Sequence, residues 1–254
     1  MFRVIILFGG VVPDVSKIEA SIEKLFLAAE QGDEKTLSRA LSGGADLNAT
    51  NSDYWTALHV ACAEGHFRFV RSLIAAGADP NLALFNPFFA NSSMNGKTPM
   101  HVAAEHGQCH VISILASCGS DINARSRVLE APIHLAARAG HRRAVEKLVQ
   151  LGAAINARDW LGRTPLHFAV EADHVEVVRA LKKGGCHLRP KDNSGTTPLQ
   201  LAREMKDRRL VDALAGRGLS QLNCHTGPSS CDSPSVSFTR NVMVKRGSPP
   251  HAVR

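Results

Sequence analysis

The sequence predicts an all-α solenoid of stacked helical repeats, and three observations support this. A four-residue motif that ends in histidine recurs along the chain, mostly at intervals of 33 residues. Each copy begins with residues that start a helix. Small and aliphatic residues that can pack against a neighbouring helix come next, and a glycine usually follows them. Aromatic residues make up only 5% of the 254 residues, so small and aliphatic side chains must form the core. A fixed period of this length indicates a repeat architecture rather than a single globular core.

The recurring motif marks the start of a helix in most units. A threonine before a proline at the first helical position is a favourable helix start, since the hydroxyl caps the helix and proline gives up an N–H that has no helical partner. Upstream, the string LFLAA at 25–29 lies one period before the matching part of the second unit, so six units are present. The motif reads TALH at 56–59, TPMH at 98–101, APIH at 131–134, TPLH at 164–167 and TPLQ at 197–200.

Each first helix is followed by a second helix. Gly65, Gly107 and Gly140 stand where the first helix should end, and glycine readily adopts the left-handed conformation that ends a helix. Paired apolar residues, such as Val145 with Leu148, then recur at helical spacing. No unit can bury its apolar face alone, so neighbouring units must stack to make one continuous core.

These motifs, repeated in register over about residues 20–220, closely resemble the ankyrin repeat family. The resemblance implies a turn or β-hairpin finger followed by two antiparallel helices in each unit. It also implies that the recurring histidine ties fingers together by hydrogen bonds, and that fingers and first helices line a concave face. The last unit, with Gln200 in place of histidine and Lys206 in place of glycine, is predicted to be the C-terminal cap. The units are placed at about 21–52, 53–85, 95–127, 128–158, 159–191 and 192–220.

Three segments fall outside the repeat pattern. Residues 1–19 are predicted to be a flexible extension, whose apolar run is shorter than the roughly 20 residues that span a bilayer. Residues 86–94 are an insertion that either contacts a partner or folds back on the stack. Residues 221–254 are rich in Ser, Pro and Gly, so we expect a disordered tail, in which Ser233 and Ser248 precede prolines and are possible phosphorylation sites.

The sequence contains no motif that indicates catalysis. The sequence lacks the phosphate-binding, dinucleotide-binding, nucleophile-elbow and zinc-protease signatures. His59, His101, His134 and His167 occur once per unit and so do not converge as metal ligands must. None of the six cysteines has CxxC spacing, which favours a reducing compartment, in the cytoplasm or the nucleus. We therefore expect that the protein is not an enzyme and that it binds neither a metal ion nor a cofactor.

The predicted function is that of an adaptor or scaffold, monomeric, that binds one or more proteins through the concave groove. In the fifth finger, turn-forming residues such as Asp159 and Gly162 should leave Trp160 and Arg163 free to project. Trp, Tyr and Arg are enriched at the centres of protein interfaces. The candidate partner-binding residues are Tyr54, Trp55, Lys97, Glu105, His106, Arg127, Glu130, Arg138, Trp160 and Arg163.

The charge distribution keeps a second function open, the binding of nucleic acid or acidic surfaces. The net charge of +7 divides into −3 for residues 1–91 and +10 for residues 92–254. Basic residues of units four to six fall mainly on second helices and loops, as at 142–143 and 182–183, without aromatic residues between them to stack on bases. We therefore expect a protein partner rather than nucleic acid.

Overall fold

The computed structural model describes residues 15–86 and 95–215, which form twelve α-helices, two in each of six units, and no strand. The described residues all belong to one unit of the chain, Met1–Gly218. The helices are α1 (Val15–Gln31), α2 (Glu34–Ser42), α3 (Ala57–Glu64), α4 (Phe67–Ala75), α5 (Pro99–Glu105), α6 (Cys109–Ser117), α7 (Pro132–Arg138), α8 (Arg142–Gln150), α9 (Pro165–Glu171), α10 (Val175–Lys183), α11 (Pro198–Glu204) and α12 (Arg208–Ala215).

Helix α1 begins earlier than the sequence suggested. Because it starts at Val15, residues 15–19 are helical and do not belong to a flexible extension. Most of the insertion and the whole tail, with the possible phosphorylation sites Ser233 and Ser248, lie outside the described residues.

The first helices begin where the recurring motif predicts. Thr98, Thr164 and Thr197 are N-cap residues with extended backbone conformations, and a proline follows each. Thr56 starts α3 in the same way, and its hydroxyl accepts a hydrogen bond from the backbone N–H of His59. The motif therefore fixes the start of these helices through capping and through the restricted φ of proline.

The fingers are tight turns rather than stranded hairpins. In the fifth finger the backbone N–H of Asp159 donates to the carbonyl of Arg163 at 2.9 Å, and that of Gly162 donates to the carbonyl of Asp159 at 3.0 Å. The same two bonds close the fingers at 51–55, 126–130 and 192–196. Thr50 and Thr56 form an isolated β-bridge, and the described residues contain no longer ladder. The all-α fold class is thus confirmed, with turns in place of hairpins.

Neighbouring fingers are connected through their backbones. A single N–H of one finger donates to a carbonyl of the preceding finger, at 2.9–3.2 Å. Such bonds satisfy backbone groups that would otherwise compete for water. They run from Arg127 to Asn95, from Trp160 to Val128 and from Asn193 to Leu161.

The helices form two layers around a continuous core. The first helices α1, α3, α5, α7, α9 and α11 contact one another in order, and so do the second helices α4, α6, α8, α10 and α12. Ala103, Ala136 and Ala169 are fully buried, and these small side chains allow neighbouring first helices to approach closely. The buried apolar cluster extends from Leu25 to Leu214, as expected for units that share one core.

Buried histidines connect three of the first helices, α5, α7 and α9, to the following finger, as the resemblance implied. The backbone N–H of Thr98 donates to Nδ1 of His101 at 3.1 Å, so Nε2 carries the proton and donates to the carbonyl of Glu130 at 3.0 Å. His134 and His167 repeat this arrangement in the next two units, with Nε2 of His134 shared between the carbonyls of Arg163 at 3.3 Å and Ala157 at 3.0 Å. Each imidazole therefore caps its own helix and binds the next unit.

The sixth unit keeps only the capping half of this arrangement. Oε1 of Gln200 accepts hydrogen bonds from the backbone N–H of Thr197 at 2.8 Å and from its hydroxyl at 2.9 Å. Glutamine therefore replaces histidine as the partner of the N-cap residue, without a group that titrates near neutral pH.

Burial keeps the histidines of this position uncharged. Loss of water around the ring lowers the pKa of His59, His101 and His134 to about 4, against the weaker opposing effect of neighbouring carbonyls. The pKa of His167 is lowered for the same reason. Because the unfolded chain binds these protons near pH 6.5 and the folded chain does not, stability is lost as the pH falls from about 6.5 to about 4.

We predict that His134→Gln removes part of this pH dependence. At pH 7 the variant should be less stable by about 1 kcal/mol, because glutamine can cap the helix as Gln200 does but loses the ring's bond to the Arg163 carbonyl in the next unit. Below pH 6.5 the free energy of unfolding should fall less steeply than in the wild type, by up to about 1.4 kcal/mol per pH unit. Urea denaturation at several pH values measures both effects, and equal slopes would contradict the prediction.

Candidate functional site

The fingers and first helices of units two to six form a surface that we call the inner face, comprising residues 51–64, 84–86, 95–105, 126–138, 159–171 and 192–204. A charged residue ends each first helix of this surface. The side chains of Glu105, Arg138 and Glu171 are 33%, 40% and 38% exposed, so solvent reaches all three. The residues that end these helices are Glu64, Glu105, Arg138, Glu171 and Glu204.

An ion pair between residues eight positions apart recurs in three successive units. It joins the last residue of the finger to the last residue of the first helix. The sign of the finger charge alternates, so Arg138 also lies 3.9 Å from Glu105 of the preceding unit. Because the helix-end partners are partly exposed, each pair contributes about 1 kcal/mol or less. The pairs are Lys97 with Glu105 (2.7 Å), Glu130 with Arg138 (2.9 Å) and Arg163 with Glu171 (3.3 Å).

Lys97 and Glu130 are not presented to a partner as the sequence analysis expected. Their side chains are only 2% and 4% exposed. Each residue directly precedes a helix N-cap, and its side chain pairs with the charged residue that ends the first helix. Sequence reasoning missed the relevant pattern, which is opposite charge at a spacing of eight residues repeated every 33. These two residues hold exposed neighbours in place and do not form the contact surface themselves.

Arg163 was predicted to project and instead folds back onto its own finger. Its guanidinium lies 2.8 Å from a carboxylate oxygen of Asp159, whose side chain is completely buried. The guanidinium also lies 4.4 Å from the centre of the Phe168 ring. With only 23% of its side chain exposed, Arg163 acts mainly within the fold, because Asp159 would otherwise be a buried charge without a cation.

Phe168 is an organising residue of the inner face that sequence reasoning missed. Its ring is 2% exposed and makes an edge contact with the imidazole of His134, with ring centres 5.2 Å apart. Arg138 lies 5.6 Å from the ring centre, so both Arg138 and Arg163 are within the range of cation–π attraction. The equivalent residues of other units, such as Leu135 and Leu201, are aliphatic. The aromatic side chain of Phe168 at this position was therefore the one sign of its role that the sequence offered.

The two tryptophans lie in different environments. Trp160 is 59% exposed in the fifth finger, and its predicted contact with a partner stays a prediction. Trp55 is half-buried and packs against the core, with its ring centre 6.3 Å from that of His59. Tyr54 is also half-buried. Of the aromatic candidates, Trp160 alone exposes more than half of its surface to solvent.

The other candidates of the fingers and helix ends are exposed. Arg127 in the fourth finger is exposed, and so is His106, which directly follows α5. Leu129, which lies between Arg127 and Glu130, was not among the residues predicted from the sequence. It is 49% exposed and has a φ of 56°. A leucine at a finger position that glycine fills at Gly162 would have indicated it.

Within the described ranges, no three or more His, Cys, Asp or Glu side chains are grouped so that they could hold a metal ion. Burial raises the pKa of the Cys186 thiol to about 11 and that of Cys62 well above its usual range, so both are thiols rather than reactive thiolates. The helices of this part of the chain are too short or too polar for any to cross a bilayer.

A family model described as "Ankyrin repeats (3 copies)" matches residues 25–126 and again residues 132–223. The two matches cover most of the chain and coincide with the stacked units described above. The chain therefore belongs to the ankyrin repeat family. Ankyrin repeats are in general non-catalytic modules of protein–protein interaction.

Curated relatives match part of the chain. The chain is 34% identical over 94 residues to the inactive serine/threonine-protein kinase TEX14 of Mus musculus. It is 31% identical over 101 residues to NF-kappa-B inhibitor alpha of Homo sapiens, and 29% identical over 102 residues to ankyrin repeat and SOCS box protein 5 of Oryctolagus cuniculus. These alignments cover 37–40% of this chain but only 6%, 31% and 28% of the three relatives.

We predict unequal effects on stability for two substitutions in the fifth finger. Arg163→Ala should destabilise the fold by about 2 kcal/mol, because it leaves the buried Asp159 carboxylate without its cation. Trp160→Ala should change stability by less than about 1 kcal/mol, because the ring is mostly in solvent. Urea denaturation followed by circular dichroism compares them. A Trp160→Ala variant as unstable as Arg163→Ala would show that the indole packs within the stack.

Proposed function

We propose that this protein is a non-catalytic adaptor that binds a partner protein through its inner face, which the architecture of the family makes concave. The observation that carries the proposal is a row of partly exposed charges whose geometry is fixed within the fold. Glu105, Arg138 and Glu171 end successive first helices, and each is held by an ion pair to its own finger. The exposed Trp160 lies in one of these fingers.

The restraint of these side chains favours recognition of a folded or extended partner. An exposed charge that already has one fixed partner loses little side-chain freedom when it contacts another molecule, so more of the interaction energy remains for affinity. Arg138 illustrates this, because Glu130, Glu105 and the ring of Phe168 all restrain its guanidinium. The inner face therefore supplies a preformed pattern of charge rather than a surface that orders on binding.

The relatives support the same class of function without naming a partner. Each match is confined to a part of the relative, so the action of the whole relative is not transferred to this chain. What the matches share with this chain is the ankyrin repeat region, and binding of protein partners is the general use of that module.

The alternative of nucleic-acid binding through the second helices has less support. Several of the basic side chains there already pair with carboxylates. Arg142 lies 2.9 Å from Glu146, and Arg179 lies 2.7 Å from Glu176. Arg209 contacts two aspartates, at 2.7 and 2.9 Å. Such pairs reduce the positive potential that binding to phosphates requires.

Two charge reversals within unit five provide the test. Glu171 on the inner face and Glu176 on α10 are both partly exposed glutamates with arginine partners, so Glu171→Lys and Glu176→Lys are a matched pair. In quantitative affinity capture with the full chain, Glu171→Lys should reduce the recovery of specific partners about tenfold or more. Glu176→Lys should leave it within about twofold. Equal recovery by both variants, or a greater loss with Glu176→Lys, would contradict the proposal.

A further inference from the structure

We propose that the tips of the fourth and fifth fingers form a docking patch for a partner segment that combines apolar and acidic side chains. The patch consists of Leu129, Trp160 and Leu161, with Arg127 at its edge. This inference rests on the proposed function and specifies the chemistry of the partner.

Leu129 has an unfavourable backbone and an exposed side chain at the same time. Its φ of 56° lies in the left-handed region. Three equivalent finger positions are filled by Gly96, Gly162 and Gly195, with φ between 75° and 82°, and a fourth by Tyr54, which has a φ of 64° but is half-buried. A leucine there is strained, because its Cβ crowds the backbone. Its side chain is 49% exposed and does not join the buried core. Neither backbone preference nor core packing accounts for this residue, so contact with another molecule is the remaining explanation.

Backbone hydrogen bonds bring Leu129 next to the apolar residues of the fifth finger. The N–H of Trp160 donates to the carbonyl of Val128 at 3.2 Å, which places the two finger tips side by side. Trp160 is 59% exposed and Leu161 is 38% exposed, and neither belongs to the core. Exposed large apolar residues scattered singly are ordinary, but three on two adjoining turns mark an interaction surface.

The charges of these fingers are separated by sign. The acidic residues face inwards, since Glu130 is 3% exposed and Asp159 is 5% exposed. Asp192 of the sixth finger accepts hydrogen bonds from backbone N–H groups of its own turn. The basic residues outside this inner network are exposed, and within the described part of the chain none of them pairs with a carboxylate. These exposed basic residues are Arg125, Arg127, Arg158 and Lys191.

One basic side chain, that of Arg125, contacts the backbone of the apolar patch directly. Nη1 of Arg125 donates to the carbonyl of Leu129 at 2.7 Å and to that of Arg158 at 3.0 Å, which bridges the two fingers. The guanidinium is thereby held in place while its charge is not neutralised. An apolar surface with a cationic border is complementary to a segment in which carboxylates flank aliphatic or aromatic residues. The tail of this chain does not match, because residues 216–254 contain five Lys or Arg residues and one Asp.

Selection from a displayed library of random peptides on the immobilised full chain tests the inference. The enriched peptides should contain more Asp, Glu, Leu, Phe and Trp than the starting library. Leu129→Gly should weaken binding of the enriched pool about fivefold or more. Its melting temperature should not fall, and could rise by up to about 4 °C, because the substitution relieves the backbone. Lys206→Gly is the matched control, since Lys206 has a φ of 57° outside the patch, and it should bind the pool like the wild type.

A second pair of variants tests whether the patch selects acidic peptides. Arg127→Glu should remove the enrichment of Asp and Glu, whereas Arg143→Glu, at an exposed arginine on α8, should preserve it. Enrichment of basic peptides, absence of any enrichment, or binding unaffected by Leu129→Gly and Arg127→Glu would overturn the inference. Stronger retention of a random single-stranded DNA library, lost in Arg127→Glu, would also overturn it. These results leave the proposed function intact if Glu171→Lys still reduces partner capture about tenfold or more while Glu176→Lys does not.

Discussion

The hydrogen bonds of the buried imidazoles connect one ankyrin unit to the next, and the geometry of the inner face depends on them. His101 binds Thr98 of its own unit and the carbonyl of Glu130 in the following finger. The same residue, Glu130, supplies the carboxylate that holds Arg138. A contact that fixes the position of a finger backbone thus also fixes the charged side chains that the finger restrains. Loss of the imidazole bond would release both.

The repeat architecture explains how charges can be ordered on a surface without an enclosed site. Each unit places one residue before the helix N-cap and one at the helix end, eight positions apart, and stacking brings the next pair alongside. Because the sign alternates between Lys97, Glu130 and Arg163, the helix-end charges alternate as well, and Arg138 also lies 3.9 Å from Glu105 of the preceding unit. Each pair contributes little stability because solvent screens it. Its main effect is to orient exposed side chains, which is a property of a binding surface.

Much of the fold was predictable because the local rules act within single units. The period, the Thr-Pro helix starts and the buried histidines could all be read from the sequence, and the structure contains each of them. The burial of Lys97 and Glu130 could not be predicted in the same way, because the direction of a finger side chain depends on a partner at the far end of the helix. Leu129 was missed for a different reason. Its significance lies in a left-handed backbone conformation, which the sequence indicates only when the fingers are aligned and a leucine is found at the position of Gly162.

The protonation state of the imidazoles shows whether they can connect the units as described. A long-range ¹⁵N–¹H correlation spectrum of the folded protein resolves Nδ1 and Nε2 of each histidine. We predict that His101 and His134 are neutral with the proton on Nε2, and that neither ring titrates until the pH approaches about 4. Titration of these rings near pH 6.5, or a proton on Nδ1, would contradict the account, because the ring could then not accept from its helix cap and donate to the next unit.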